Sequence, residues 1–487
     1  MLNFKGLKSE KAEMTKCFFI IFILFSASAF ARAPSLLSSL NLLEAKSKKL
    51  TAQTCLVFLK EAKLEVLDSK LYDLNSKEVK KYGKKILDSA WHIRTNLNDK
   101  LSELAPCLNE LKEYIYNSRY FEDMLSVRFF DITSALPYEV KFANDPSPIF
   151  DNKFHKGYLY RKGFEPGQKF QFKSGDVLLE KGPSFISSII STITLPKSQF
   201  SHFAVLHRDS KSDKVISLES YIQSGGLDLF EIESALKKYN VRIVLVRPKD
   251  QKLAEKATEL IREKVVSEKE GKAEKSKYDY FFNFTDESKM NCAKLLLWSY
   301  KKASDGQIIL PQSPSVLDKS IEKIITIVGI KPGPVLTPVD IEVDPRFEVL
   351  LEFRDLRLVR DSKYRDAIFI ALFDWFINKK YNLVLLPKKI NMQAAMAPMR
   401  MSNLPNPKNA QGLIDIPEIF LRPVYQINSV ANLIYKKLYL KDKAFEKKNA
   451  WPMSLDDLLK ALEEIRIEDQ KAYEQEDPFA FHHLFKS

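Results

Sequence analysis

The hydrophobic pattern of this chain changes character twice, and that change limits the folds that the chain can adopt. From Ser174 to about residue 317, short apolar runs are separated by turn-forming residues, which is typical of strands. Four such runs are 175–180, 201–206, 215–219 and 241–246. Amphipathic patterns at 251–266 and 292–302 predict two helices in the same stretch. The middle of the chain is therefore predicted to combine a sheet with packed helices.

Both flanks of this stretch repeat Leu, Ile, Val and Phe at steps of three and four residues, which predicts helices. The longest such patterns are 40–130, 349–381, 427–439 and 455–474. Because 487 residues exceed the size of one ordinary domain, we divide the chain into five segments. These are a signal segment (1–31), a helical region (32–130), a connector (131–171), the strand-rich unit (172–317) and a mainly helical C-terminal region (318–487). The predicted fold class is α+β.

The first 31 residues have the pattern of a secretory signal. Lys11 and Lys16 precede a short apolar run, and the small-x-small sequence Ala29-Phe30-Ala31 offers a cleavage site. The apolar run is shorter than the roughly 20 residues that a membrane-spanning helix needs. We therefore expect export to the periplasm or the medium, with no integral membrane segment after cleavage.

Charge and motif content narrow the range of partners. The formal net charge is +13, but no dense Lys/Arg block with interleaved aromatic residues occurs, so nucleic acid is not an expected partner. An anionic envelope polymer or a lipid headgroup is compatible with the charge. The sequence contains no phosphate-binding glycine-rich loop, no dinucleotide fingerprint and no metal-ligand spacing, so no cofactor and no metal are expected.

The chain has four cysteines, and their positions suggest different fates. Cys17 leaves with the signal segment. Cys55 and Cys107 lie in the same helical region, where they either pair in an oxidising compartment or remain as buried thiols. Cys292 is then the odd cysteine, and an unpaired thiol in an exported protein is either buried or used in chemistry.

Cys292 lies where a helix is predicted to begin. If Asn291 caps that helix, Cys292 falls in its first turn, where the positive end of the helix dipole favours a thiolate. The residues that share its face of the helix are mainly apolar. Taken alone, this pattern is also typical of a buried structural cysteine.

His202 and Glu219 supply the remaining parts of a thiol triad. They lie on two predicted strands that a hairpin loop joins. In a symmetric hairpin Leu206 opposes Val215, and counting outward by twos places His202 opposite Glu219. The carboxylate would then orient one imidazole nitrogen and leave the other for the thiol. His207 lies on the opposite face of its strand and is predicted to be a surface residue.

These residues, in this order, resemble the circularly permuted papain-like cysteine hydrolases, the YiiX-like branch of the NlpC-type superfamily. The resemblance covers about residues 172–317. The matching motifs are Gly175-Asp176, Ser201-His202-Phe203, the strand that ends at Glu219, Gly225-Gly226, Arg247-Pro248, Tyr278-Asp279 and Asn291-Cys292. After the cysteine the family often has Ser-Glu, whereas this chain has Ala293-Lys294, which puts substrate contacts in doubt.

The resemblance implies a permuted papain-like core, in which an antiparallel sheet packs on the cysteine-bearing helix. It implies Cys292 as nucleophile, His202 as base and Glu219 as the residue that orients the base. The implied reaction cleaves an amide or ester through a thioester, with cell-wall peptides or lipid-linked acyl groups as substrates. Two alternatives stay open: an acyltransferase on the same scaffold, and a catalytically inactive envelope-binding protein.

Overall fold

The computed structural model describes residues 35–66, 77–129, 159–161, 171–222, 224–236, 240–283, 285–318, 322, 326, 329–331, 333–384, 417–449 and 452–486. The predicted signal segment and most of the predicted connector lie outside these residues. No helix within the described part of the chain has the length and apolar character needed to cross a membrane.

Helices dominate both flanks, as the sequence periodicity predicts, and four more of the described helices lie within the strand-rich unit. In chain order the α-helices are α1 (Leu36–Ser47), α2 (Cys55–Val66), α3 (Lys77–Asp99), α4 (Leu108–Phe129), α5 (Phe185–Thr192), α6 (Ile232–Leu236), α7 (Gln251–Lys269), α8 (Cys292–Ala303), α9 (Pro338–Glu342), α10 (Leu356–Asn378), α11 (Glu418–Asn449) and α12 (Leu455–Glu474). Helix α12 has the predicted bounds, and its start is fixed by a capping box between Ser454 and Asp457.

The strands form one large sheet and two small ones. They are β1 (Leu159–Tyr160), β2 (Val177–Lys181), β3 (Thr194–Leu195), β4 (His202–Arg208), β5 (Val215–Tyr221), β6 (Gly226–Glu231), β7 (Arg242–Pro248), β8 (Lys277–Tyr278), β9 (Lys289–Met290), β10 (Ser315–Leu317), β11 (Pro334–Val335), β12 (Phe347–Arg354), β13 (Asn382–Leu383) and β14 (Phe485–Lys486). The large sheet has the order β1-β12-β7-β2-β4-β5-β6-β8-β9. Its described strand pairs are antiparallel except β8 with β9. The predicted α+β class is confirmed.

Helices α7 and α8 cover one face of the large sheet. Ile261 of α7 and Leu296 of α8 are fully buried in one apolar cluster with Leu179, Val205 and Val244 of the sheet. Alternate residues of the same strands point into a second cluster on the other face. Both sheet faces are therefore buried, and α8 is held rigidly against the central strands.

The prediction of a helix over 349–381 is wrong in its first part. Residues Phe347–Arg354 form strand β12, and the helix begins only at Leu356. The strand is buried on both faces, so it reads as a continuous apolar run, which periodicity alone cannot distinguish from a buried helix. The large sheet thus takes in strands from outside 172–317, namely β1 and β12.

A buried ionic network joins the N-terminal helices to the sheet. Its members are Arg94, Arg119, Glu122 and Asp123 from α3 and α4, with Arg242, Glu342, Glu352 and Arg354 from β7, α9 and β12. Arg94 lies 2.8 Å from Glu352, and Arg242 lies 2.7 Å from Asp123. Burial opposes the charged form of Glu352, but the surrounding guanidinium groups hold its pKa well below its usual range. Four cations and four carboxylates therefore balance in the interior.

Cys55 and Cys107 form a disulfide, the first of the two alternatives that the sequence leaves open. The bond joins the start of α2 to the turn before α4, with the two Cα atoms 6.5 Å apart. Both cysteines are buried in the core of the N-terminal helices. Cys292 is the free cysteine of the described residues.

Candidate functional site

Cys292 is the first residue of helix α8, as the sequence predicts. Asn291 is in extended conformation, and its side-chain oxygen accepts a hydrogen bond of 2.8 Å from the backbone N–H of Lys294. The N-cap at Asn291 is confirmed. The thiol is half-buried at the edge of the apolar cluster beneath the sheet. A cysteine in this place combines solvent access with the positive end of a helix dipole.

Strand β5 fixes the position of the helix start. The buried Ser220 hydroxyl donates a 2.7 Å hydrogen bond to the carbonyl of Met290, two residues before Cys292. The same carbonyl accepts from the backbone N–H of Asp279 at 3.1 Å, at the end of β8. The helix start is thus tied to the strand that carries Glu219.

His202 and Glu219 are hydrogen bonded, with Nε2 and Oε2 2.9 Å apart. Glu219 is completely buried, and its other carboxylate oxygen accepts a 2.8 Å hydrogen bond from the Ser217 hydroxyl. Both oxygens of this carboxylate are therefore engaged, which limits its rotation. Since Nε2 is bonded to Glu219, the other ring nitrogen, Nδ1, is left for Cys292.

The pairing that the symmetric hairpin predicts is wrong by two residues. Leu206 opposes Ser217, and Arg208 opposes Val215. Continued outward, this register sets His202 against Tyr221, and the two rings lie edge to face with centroids 5.4 Å apart. A shift of two residues keeps every side chain on its face, so Glu219 becomes a diagonal neighbour of His202 and stays within reach.

Helix α8 packs against strands β4 and β5, which carry His202 and Glu219, and Cys292 acts electrostatically on His202. Burial alone would lower the pKa of His202. The interaction with Cys292, followed by that with Glu219, outweighs burial and raises that pKa to about 10. This environment favours the imidazolium form of His202. The structure thus brings together all three residues that the sequence singles out.

Two further groups at the site were not foreseen as site residues. Tyr278 of β8 lies near Cys292, and burial, followed by Cys292 and Tyr280, raises the pKa of its hydroxyl well above the usual range. The second group is Ser217, whose hydroxyl donates a hydrogen bond to the Glu219 carboxylate. The spacing of Ser217 and Glu219 at i and i+2 on one strand places them on one face, and this signal could have identified Ser217.

Lys294, one of the two residues after Cys292 that depart from the resembled pattern, has a structural role here. Its ammonium group donates to the backbone carbonyls of Asn283, at 2.8 Å, and of Asp286. Burial lowers the pKa of this side chain. Lys294 therefore anchors the loop that joins β8 to β9, next to the start of the cysteine helix.

His207 is partly buried, not fully at the surface, with Nδ1 3.9 Å from a Glu259 oxygen on α7, and burial lowers its pKa. Among the residues that the structure describes, no group of three or more His, Cys, Asp or Glu side chains is arranged to hold a metal ion.

Replacing Ser217 with alanine tests whether the orientation of Glu219 matters. Losing a hydrogen bond of about 1 kcal/mol to the carboxylate is expected to slow alkylation of Cys292 by iodoacetamide about fivefold. Ser299→Ala is the matched control, because Ser299 is equally buried on α8 but bonds only to the Leu296 carbonyl. Equal alkylation rates in the two variants would show that the Ser217 hydroxyl has no such role.

Comparison of the chain with protein-family models, with curated proteins and with solved structures finds no match.

Proposed function

We propose that this protein is an exported cysteine hydrolase with a permuted papain-like core, in which Cys292 is the nucleophile, His202 the base and Glu219 its orienting residue. One observation carries the proposal. A half-buried free thiol lies at the start of a helix that packs on two strands, and these strands carry an imidazole hydrogen bonded to a buried carboxylate. A thiol nucleophile requires this combination of an activated sulfur, a base and an orienting group.

The proposed reaction starts from the state in which the Cys292 proton has already passed to His202. The thiolate attacks the carbonyl carbon of an amide or ester and forms a tetrahedral oxyanion. The His202 imidazolium then donates its proton to the leaving amine or alkoxide, and a thioester remains on Cys292. Water attacks the thioester, with His202 as base, and releases the acid and the free thiol.

The first turn of α8 supports the oxyanion. In an α-helix the first N–H groups have no acceptor within the helix. Asn291 satisfies the N–H groups of Lys294 and Leu295, through its side chain and its carbonyl. The N–H groups of Cys292 and Ala293 belong to the same first turn, and we assign them as the donors to the oxyanion.

A cell-envelope location and substrate are part of the proposal. The Lys-apolar-Ala pattern of the first 31 residues favours export, and the Cys55–Cys107 disulfide suits an oxidising compartment. Cell-wall peptides and lipid-linked acyl groups are the substrate classes. Product analysis with and without an added amine acceptor separates a hydrolase from an acyltransferase, because only the latter would form the acylated amine.

Labelling of the exported protein with an iodoacetamide probe tests the proposal. Because Cys55 and Cys107 are paired, labelling reports Cys292 alone within the described residues. A thiolate stabilised by His202 is expected to react at pH 7 at least about 10-fold faster than free cysteine. Cys292→Ala provides the blank.

A second probe tests transfer at a carbonyl. Acylation by p-nitrophenyl acetate should release p-nitrophenolate and leave an acetyl thioester on Cys292, detectable by mass spectrometry. Labelling no faster than free cysteine, together with no acetyl thioester, would exclude the hydrolase and favour the inactive envelope-binding protein.

A further inference from the structure

The outer face of helix α11 carries an unusual arrangement of exposed side chains. Leu433 and Leu440 are 47% and 59% exposed, and Ala444 continues their line along the helix. At 100° per residue these three fall within about 40° of one another, and exposed lysines lie on both sides of them. We name the set the Lys–Leu face; its members are Leu433, Lys436, Leu440, Ala444, Lys447 and Lys448.

Among the residues that the structure describes, the charge of the Lys–Leu face is not balanced. Lys437 pairs with Asp469, and Lys441 pairs with Glu464 and Glu468, so the lysines that turn toward α12 are neutralised. No described residue forms an ion pair with Lys436, Lys447 or Lys448. The nearby Glu446 turns away from this face, toward Arg360 and Lys443. Three cations without an ion-pair partner among the described residues therefore flank the exposed leucines.

We propose that the Lys–Leu face docks the protein on the surface of an anionic lipid bilayer. Aliphatic side chains along the middle of a helix face, with lysines on both flanks, match the interfacial region, where the leucines enter the acyl boundary and the ammonium groups reach the phosphates. From Leu433 to Lys448 the face is about 22 Å long, which allows several headgroups to be contacted at once.

Two other occupants fit the face less well. A polyanionic polymer would bind the lysines but would leave Leu433 and Leu440 exposed to water, because it offers no apolar surface to them. A second copy of the chain would bring like charges together at this face. The combination of exposed leucines and unbalanced lysines favours lipid.

Cosedimentation with vesicles tests the proposal. The processed protein is expected to bind phosphatidylglycerol-rich vesicles and not pure phosphatidylcholine vesicles. The triple variant K436E/K447E/K448E should bind on the order of 100-fold more weakly, because each lysine near an anionic surface contributes about fivefold. The double variant L433S/L440S should bind at least about 10-fold more weakly.

A charge-matched control separates a defined face from net charge. Lys60 and Lys80 are exposed on α2 and α3, and Lys49 is exposed in the turn after α1, so K49E/K60E/K80E changes the net charge by the same amount. This variant should keep its affinity within about threefold at physiological salt, because charges beyond about 8 Å from the surface are screened. Equal losses in both triple variants, or wild-type binding by L433S/L440S, would overturn the proposal. So would the absence of lipid-dependent binding.

The docking inference does not depend on the proposed hydrolase. All binding measurements are repeated with Cys292→Ala, which cannot turn over lipid and should bind as the wild type does. If the protein binds vesicles but is not labelled at Cys292, the docking inference stands and the hydrolase proposal fails. If it is labelled rapidly but does not bind vesicles, the hydrolase proposal stands and the docking inference fails. Thermal unfolding midpoints confirm that each variant folds, as expected for exposed positions.

Discussion

Alkylation of Cys292 by iodoacetamide at pH 7 is expected to become about 30-fold slower when His202 is replaced with alanine. Without the imidazolium, the sulfur behaves as an ordinary thiol with a reference pKa of about 8.5, of which about 3% is ionised at pH 7. Turnover of a carbonyl substrate should fall further, by roughly 100- to 10,000-fold, because the leaving group also loses its proton donor. The measurement is the second-order rate of labelling, followed by mass spectrometry.

The pH dependence should change along with the rate. Since the pKa of folded His202 is raised to about 10, the imidazolium persists through the neutral range, and leaving-group protonation declines only as the pH rises through about 10. In His202→Ala, labelling should instead rise about 10-fold per pH unit up to the thiol pKa. His207→Ala is the control, because His207 lies on the same strand but contacts Glu259. Wild-type labelling in His202→Ala would remove His202 from the site.

Glu352→Gln is expected to destabilise the fold by about 3–5 kcal/mol, the cost of removing one partner from a buried ionic network. The amide keeps the volume of the side chain but leaves four buried guanidinium groups with three carboxylates. Urea unfolding measures the loss. The matched control is Glu464→Gln, which removes an exposed partner of Lys441 and should cost about 0–1 kcal/mol.

The acid dependence of stability gives a second readout of the same network. The pKa of Glu352 is depressed in the folded state, so its contribution is fully present above about pH 4.5 and is lost as the pH falls through the folded value. Glu352→Gln should therefore lose less stability in acid than the wild type does. If Glu352→Gln unfolds at the wild-type urea midpoint, the network does not bind the helices to the sheet.

The sequence predicts the helices of this fold better than the sheet. Long periodic segments such as Leu455–Glu474 are identified as helices by their hydrophobic periodicity. The capping residues Asn291 and Ser454 mark where α8 and α12 begin. Strand β12 was missed because burial on both faces removes the alternation that identifies a strand. Its place between β1 and β7 depends on partners that lie far away in the sequence, and no local pattern encodes that.

At the candidate site, residue identity was easier to predict than geometry. Side chains alternate between the two faces of a strand, and counting residues along both strands was enough to place His202 and Glu219 on one face. A shift of two residues preserves this alternation. The hairpin loop, which holds Asp213 at positive φ, set the actual register, and the sequence count did not resolve this. The contacts of Lys294 with carbonyls of the β8–β9 loop depend on a loop conformation that the sequence does not reveal.

The ionic network also has a consequence for the order in which the chain can assemble. Arg94 and Glu352 are 258 residues apart, and β12 must enter between strands that are made much earlier. Contacts of such separation form late, because the entropy of closing a long loop opposes them until the intervening chain is compact. The sheet that supports Cys292 therefore cannot be completed until residues well beyond the cysteine have been made. A chain threaded through a membrane from its N-terminus would thus acquire its finished sheet only on the far side.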